Sequence, residues 1–394
     1  MWTSRRGLDC VRAAESLPTK HTLGGPVKTT GRIAIFAAIS VLTLAGCGDR
    51  PDDGDDNGSS SEANQSSEPK ESHPNFKACM VSDSGGFDDK SFNQTSHKGL
   101  LDAEEQLGIK TAQIESQTDS DYPDNLKALV GENCNTIITV GFKLAEATEK
   151  SAKQNPKINY AIVDNVYEKP LKNVRGLAFD TAQSSFLAGY LAAGSSETGT
   201  VGTFGGVEIP TVTIFMDGYW EGVQYYNEQN DADVKVIGWD EKTKKGVFTQ
   251  DFENKSKGQN SAESLIAQGA DVIFPVAGPA GLGGLQAAKD SGGDVKAIWV
   301  DTDGCVSAEE YCDVLLGSVV KGMDVAVEDA IADSVHGEFD NTPYVGTLEN
   351  EGTDLAYGSA LEGEIDQDLK DEIDQVRDDI ISGEIQVNSP SSPK

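Results

Sequence analysis

The sequence predicts an α/β protein of two lobes, each a doubly wound parallel sheet, that close on a cleft between them. Three observations predict it. Short apolar runs rich in β-branched residues recur at Ala78–Val81, Thr136–Val140, Tyr160–Val163, Val201–Phe204, Val234–Ile237, Val272–Val276 and Ala297–Val300, most of them ending at Gly, Asp or another turn former. Helical patterns alternate with them, at Gln183–Ala193, Ser261–Gln268, Gly284–Lys289 and Val325–Ser334. The chain from residue 76 to 394 is also longer than one compact core usually holds.

The chain opens with a leader. Residues 1–46 carry Arg5, Arg6, Arg12, Lys20, Lys28 and Arg32 against Asp9 and Glu15, followed by the apolar run Ile33–Ala45 and then Gly46-Cys47. A basic start, an apolar core too short to span a bilayer and small residues before the cut predict an export signal. Leu44-Ala45-Gly46-Cys47 resembles a bacterial lipobox, which makes Cys47 the expected site of lipidation and the new N-terminus. Residues 47–75 are Asp, Gly, Ser, Glu and Pro with almost nothing apolar, so they cannot bury enough surface to offset ordering and are expected to form a disordered tether. Asp52–Gly58 lacks the ligand spacing and terminal Glu of a calcium loop.

The first strand, Ala78–Val81, runs into Ser82-Asp83-Ser84-Gly85-Gly86-Phe87-Asp88-Asp89-Lys90-Ser91-Phe92-Asn93-Gln94 and then a helix. Acceptors, an aromatic and an amide are thereby placed at the carboxyl edge of a sheet, where open α/β sheets bind ligands. Asp164 and Asp301 likewise fall just after apolar strands. Cys79, Cys134, Cys305 and Cys312 are an even set in an exported domain, which suggests disulfides with three possible connectivities. We favour Cys79 with Cys134, flanking two early strands, and Cys305 with Cys312, close enough to staple one loop. Lobe boundaries are expected at 76–179 with 302–335 and at 180–301 with 336–394, the chain crossing near Ala178–Gln183, Asp301 and His336. The last helix, near Asp366–Ser382, sets Leu369, Ile373, Val376 and Ile380 at helical spacing and is expected to dock on one lobe.

Composition and motifs exclude several classes. A net charge of −33 with no basic stripe argues against nucleic acid. Four histidines, none near another His or a carboxylate pair at metal-ligand spacing, and no G-x-S-x-G, H-E-x-x-H or P-loop pattern give no catalytic centre; no metal, cofactor or enzymatic activity is expected. The competing enzyme reading is a dinucleotide site at Val276–Gly284, but Gln286 stands at the third glycine position. A calcium reading of Asp301-Thr302-Asp303-Gly304 fails because Cys305 and Cys312 occupy ligand positions.

The 82–94 motif resembles the signature of the basic membrane protein family, substrate-binding lipoproteins that serve ABC importers as purine-nucleoside receptors. The resemblance runs from Lys77 to Val387 and includes Ala161–Asp164, Ser185–Tyr190, the G-G-x-x-I-P-x-V-x-x-F-x-x-G-Y-x-x-G pattern ending at Gly222, Phe252–Gly258, Val300–Asp303, Gly317–Ala326 and Tyr344–Leu348. It implies a type I periplasmic-binding-protein (Venus-flytrap) fold and a monomer that binds a nucleoside, is anchored outside the membrane by lipid and delivers its ligand to an ABC permease. Carried over by position, it implies that Phe92 and Phe252 sandwich the base, and that Asp83 and Asp164 bond its polar edge, with Asn93 as a further candidate there. Gly278, through its backbone, Asp301 and Lys321 would then hold the ribose. The departures are Gln250-Asp251 before Phe252, where the family often has Gly-Ser, and the cysteine-bracketed segment 304–312 beside the pocket motif. A receptor for a free sugar or sugar-like signal is the alternative of the same fold.

Overall fold

The structure is a computed structural model that describes residues 71–393. The expected export signal, Cys47 and the tether up to residue 70 lie outside the described residues. The tether was expected to reach residue 75, but Glu71 and His73 already donate backbone hydrogen bonds to Gln106 O and Leu107 O, so the folded part begins by residue 71.

Five strands come first: β1 (Lys77–Ser82), β2 (Lys110–Ile114), β3 (Thr136–Val140), β4 (Asn159–Val163) and β5 (Val174–Phe179). Between and after them run α1 (Phe92–Leu107), α2 (Tyr122–Gly131), α3 (Ala145–Gln154) and α4 (Thr181–Ser195). The middle of the chain forms β6 (Thr200–Gly205), α5 (Pro210–Asn230), β7 (Lys235–Ile237), the small hairpin β8 (Trp239–Asp240) and β9 (Lys245–Gly246), and α6 (Lys255–Ile266). There follow β10 (Val272–Val276), α7 (Gly281–Asp290), β11 (Lys296–Asp301), α8 (Gly304–Ser307), β12 (Leu315–Lys321), α9 (Met323–His336), β13 (Tyr344–Gly346), β14 (Thr353–Tyr357) and α10 (Gln367–Ser382).

Two six-stranded sheets result. The first has the order β13-β5-β4-β3-β1-β2 and is parallel throughout; the second, β14-β12-β11-β10-β6-β7, is parallel except for β14. The core orders 2-1-3-4-5 and 7-6-10-11-12 match position for position, which makes the lobes two copies of one doubly wound topology. Apolar side chains fill both faces of each sheet. In the first lobe Leu100, Val327 and Ile331 cover one face and Leu126, Leu129 and Ile137 the other. In the second, α4, α5 and α10 contribute Leu187, Tyr219 and Ile373 to one face, while α6 and α7 contribute Leu265 and Leu285 to the other. Burial on both faces is why these strands read as continuous rather than alternating apolar runs.

The seven expected strands are all present, but two expected lobe boundaries are corrected. β12 pairs with β11, so residues 302–321 belong to the second lobe, and the chain recrosses between Lys321 and Met323 rather than at Asp301. α9 packs on the first lobe, where β13 then joins β5, and the last crossing lies between Gly346 and Thr353 rather than at His336. The first crossing follows Phe179, since β5 belongs to the first sheet and β6 to the second. Helix α5 escaped the sequence reading because Val, Thr, Ile and aromatics dominate its start, a composition that suits a strand. It packs closely on α4: a Cβ on Gly218 would stand 2.2 Å from Ala182 O, and one on Gly222 2.0 Å from Phe186 O. Glycine therefore lets the two backbones touch.

Cys79 in β1 is bonded to Cys134, just before the neighbouring β3, and Cys305 in α8 to Cys312. No residue of 304–312 lines the cleft cavity described below.

Candidate functional site

The sheets' carboxyl edges face each other across a cavity of about 80 Å³. All eight sequence-predicted residues, Asp83, Phe92, Asn93, Asp164, Phe252, Gly278, Asp301 and Lys321, line it. Its position follows from the topology. Asp83 succeeds β1 and Gly141 succeeds β3, the adjacent strands at which winding reverses in the first lobe, while Ala277 and Gly278 follow β10 at the matching point of the second. β10 pairs with β11 only through Val272 and Ile273; Pro275, without an N–H, lies beyond, and the strands part towards the cavity.

One side of the cavity is built on the start of α1. Asp89 accepts backbone hydrogen bonds from Ser91, Asn93 and Gln94 at 2.9–3.0 Å, so a buried carboxylate satisfies the free N–H groups of the first turn and presents Phe92 and Asn93 inward. Asn93 Nδ2 donates to Asp83 Oδ1 at 3.0 Å and to Ser84 O at 3.2 Å. Asn93 Oδ1 is buried and has no hydrogen-bond partner among the described residues. Burial pushes the Asp83 carboxyl up to about 7, against the Asn93 hydrogen bond and with help from the charge of Asp89; Asp89 itself is pushed by burial up to about 6 despite its three backbone donors.

The other side is an ionic cluster shared by both lobes. Lys321, at the end of β12, donates to both oxygens of Asp164, which follows β4, at 2.8 Å, and stands 3.8 Å from Asp301 Oδ1. Its ammonium also lies over the Phe92 ring, 4.8 Å from the centroid, and near Phe179 and Phe215. Burial raises the Asp164 carboxyl above its usual range, with Lys321 opposing. Asp164 and Asp301 end equivalent strands of the two sheets, and both sit at positive φ, 65° and 69°, a region costly for residues other than glycine. The same backbone turn thus recurs at the matching strand end of each lobe. Asp164, expected at the edge of a base, thus groups with Asp301 and Lys321, and Asp83 with Asn93 forms a separate polar pair.

Phe252 reaches the cavity from the loop before α6, opposite the lobe of Phe92. Gly206 makes room for it, since a Cβ there would stand 2.4 Å from its ring. Gly278 has φ +51°, and a Cβ there would meet nothing closer than 3.9 Å, so its backbone faces open space. The neighbouring glycines of the dinucleotide reading are engaged elsewhere: a Cβ on Gly283 would strike Lys255 O at 1.9 Å, and one on Gly284 would press on Pro275 and Phe204. Asp303 caps α8 by accepting from Cys305 N.

The lobes touch around the cavity. Ser91 Oγ donates to Asp301 Oδ2 at 2.7 Å, and Trp299 Nε1 to Lys90 O at 3.2 Å. Sequence reasoning missed Asp89, Ser91, Phe142, Phe215 and Trp299. The first carried a signal, an acid just ahead of a helix start; the aromatics carried none, because a Phe in an apolar run looks the same whether it faces a core or a cleft.

Two matched α/β lobes that both line one cavity at their carboxyl edges define a two-lobed ligand-binding protein. Residues 76–390 match the family Bmp, described as ABC transporter substrate-binding protein PnrA-like, and the chain belongs to it. It is similar to the CD4+ T-cell-stimulating antigen of Listeria innocua, 31% identical over 360 residues, covering 85% of this chain and 94% of that one. It is also similar to the ABC transporter nucleoside-binding protein BmpA of Lactococcus lactis, at 29% over 91% of this chain and 98% of that one. Among solved structures, a solute-binding protein of an ABC transporter system from Aeropyrum pernix superposes with a TM-score of 0.71 at 27% identity, covering 80% of this chain and 94% of that one. The fold is that of the type I periplasmic-binding proteins. Substrate-binding proteins of ABC importers bind a ligand outside the cytoplasm and work with a permease, without catalysis. No helix of the described residues is long and apolar enough to cross a membrane.

Proposed function

We propose that this chain captures a purine nucleoside in the cleft and, as a lipid-anchored monomer held through Cys47, delivers it to an ABC permease. The observation that carries the reading is that Phe92 and Phe252 come from opposite lobes to line one cavity. Aromatic faces grip a base by stacking, whatever its identity. The Asp83–Asn93 pair supports a purine at that end: Asn93 Oδ1 is an unused buried acceptor, and Asp83 is a second acceptor when ionised, so together they suit N–H donors on a base edge. Asp301 beside Lys321 suits vicinal hydroxyls, as a carboxylate does in nucleotide folds. The relative from Lactococcus lactis, named for nucleoside binding, agrees.

Calorimetric titration tests it, after unfolding and refolding to strip carried-over ligand. Purine nucleosides are expected to bind, free bases and ribose far less. Asp301→Ala is expected to penalise a nucleoside more than the base, because it leaves the ribose hydroxyls unpaired. Binding of pentoses without nucleosides would replace this reading with that of a sugar receptor.

A further inference from the structure

His73 and His336 lie far apart in sequence, yet both present Nε2 to one carboxylate oxygen. Glu71 Oε2 is 2.9 Å from His73 Nε2 and 2.8 Å from His336 Nε2, and the three ligand atoms lie within 4.8 Å of one another. The rings meet edge to face, with centroids 6.0 Å apart, so their nitrogens converge instead of stacking past each other. We propose that Glu71, His73 and His336 form a site for a divalent transition cation of the zinc type, which clips the start of the folded chain to the end of α9.

The donor set argues for that class of ion. Two imidazoles and one carboxylate are the protein ligands of an open tetrahedral zinc site, the fourth position taking water, whereas calcium and magnesium prefer oxygen alone. With metal–ligand distances of about 2.0–2.1 Å, tetrahedral donors stand about 3.3 Å apart. Each His–Glu pair therefore needs to widen by about half an ångström and the two imidazole nitrogens, no more than 4.8 Å apart, need to settle at the same spacing, rotations open to side chains that are roughly two-fifths exposed.

The backbone already holds the donors in place. Glu71 and His73 sit on a segment tied to the end of α1 by their own N–H groups, and Gly108, at φ +57°, lets that segment pass: a Cβ there would stand 2.8 Å from Glu71 O. His336 is the last residue of α9, where unpaired carbonyls concentrate negative partial charge, and Asp333 and Glu338 add to the field on it. The four cysteines among the described residues are committed to disulfides and supply no further ligand. Because α9 starts two residues after Lys321 and runs for 14 residues, the site lies about 21 Å from the cleft and is distinct from it.

The test uses the full chain without an affinity tag, stripped by chelator and titrated with Zn²⁺ in a calorimeter and with Co²⁺ under visible spectroscopy. Expected are one equivalent of Zn²⁺ that neither Ca²⁺ nor Mg²⁺ displaces, tetrahedral Co²⁺ bands, and a melting temperature that rises with Zn²⁺ as mass action requires. His73→Ala and His336→Ala should each remove that equivalent, the bands and the rise, while their metal-free melting stays that of the parent. His336→Gln, which keeps a polar side chain at the helix end, should do the same. No binding by the parent chain, or equal binding by all three variants, overturns the assignment.

Discussion

Lys321, on the last strand residue before the second crossing between lobes, donates to both oxygens of Asp164, which belongs to the other lobe. Both side chains are nearly inaccessible, at 2% and 10%. A buried ion pair loses in desolvation much of what it gains in attraction, so its removal as a whole is tolerated far better than the loss of one partner. Lys321→Met is expected to destabilise the protein by about 3–5 kcal/mol in denaturant unfolding. The double variant with Asp164→Leu should recover part of that loss. A double variant worse than the sum of its singles would contradict the pairing.

Phe92→Ala and Phe252→Ala each remove one face from the proposed base sandwich. Stacking on an aromatic contributes about 1–3 kcal/mol per base, so nucleoside affinity should fall roughly five- to 150-fold for either variant in calorimetry. Unchanged affinity in both would place the base elsewhere.

Asp83 supplies a pH test. Its carboxyl, ordinarily near 3.8, is raised by burial to about 7 in the free protein, so it is largely protonated at pH 6. A ligand N–H donated to Asp83 favours the ionised form. Affinity should therefore rise as pH increases towards about 7, by up to about tenfold per unit, and level off above, with protons released on binding. The slope should be lost in Asp83→Asn, apart from a residue below about 6 due to Asp89, which faces the same cavity. For the free protein the sign is opposite: the stability tied to Asp83 is complete below about pH 4 and lost as pH rises through 7.

Gly218→Ala addresses packing alone. The added methyl would fall 2.2 Å from Ala182 O, on backbone that cannot swing away, and should cost about 1–3 kcal/mol through separation of α4 from α5. The midpoint of unfolding should drop while ligand affinity changes little, since Gly218 does not line the cavity.

Cys47→Ala tests the proposed anchor. One acyl chain holds a protein to a bilayer only marginally and two hold it firmly. The variant should leave the membrane fraction under carbonate washing and keep its ligand affinity; retention there would refute lipidation at Cys47.

Local pattern by itself determined the alternation of strand and helix, the ligand-side position of Asp83, Asp164 and Asp301 just after their strands, and the docking face of α10, because burial on a sheet or a helix stripe writes a period into the chain. The roles proposed for Phe92 and Phe252 rest on resemblance, since an aromatic leaves no local mark of facing a cleft. Only the tertiary structure decided which sheet β12 joins, where the chain recrosses, that Lys321 spans both lobes to Asp164, and that Ser91 meets Asp301. The strands β2, β5 and β14 are mixed or short runs that become strands because a neighbour offers them hydrogen bonds. The same holds most plainly for His73 and His336, unremarkable in the linear chain, which meet at Glu71 only because the first residues of the fold lie along α1 and the end of α9 returns beside them. Contacts between residues so distant depend on how whole elements pack, and no local period records that.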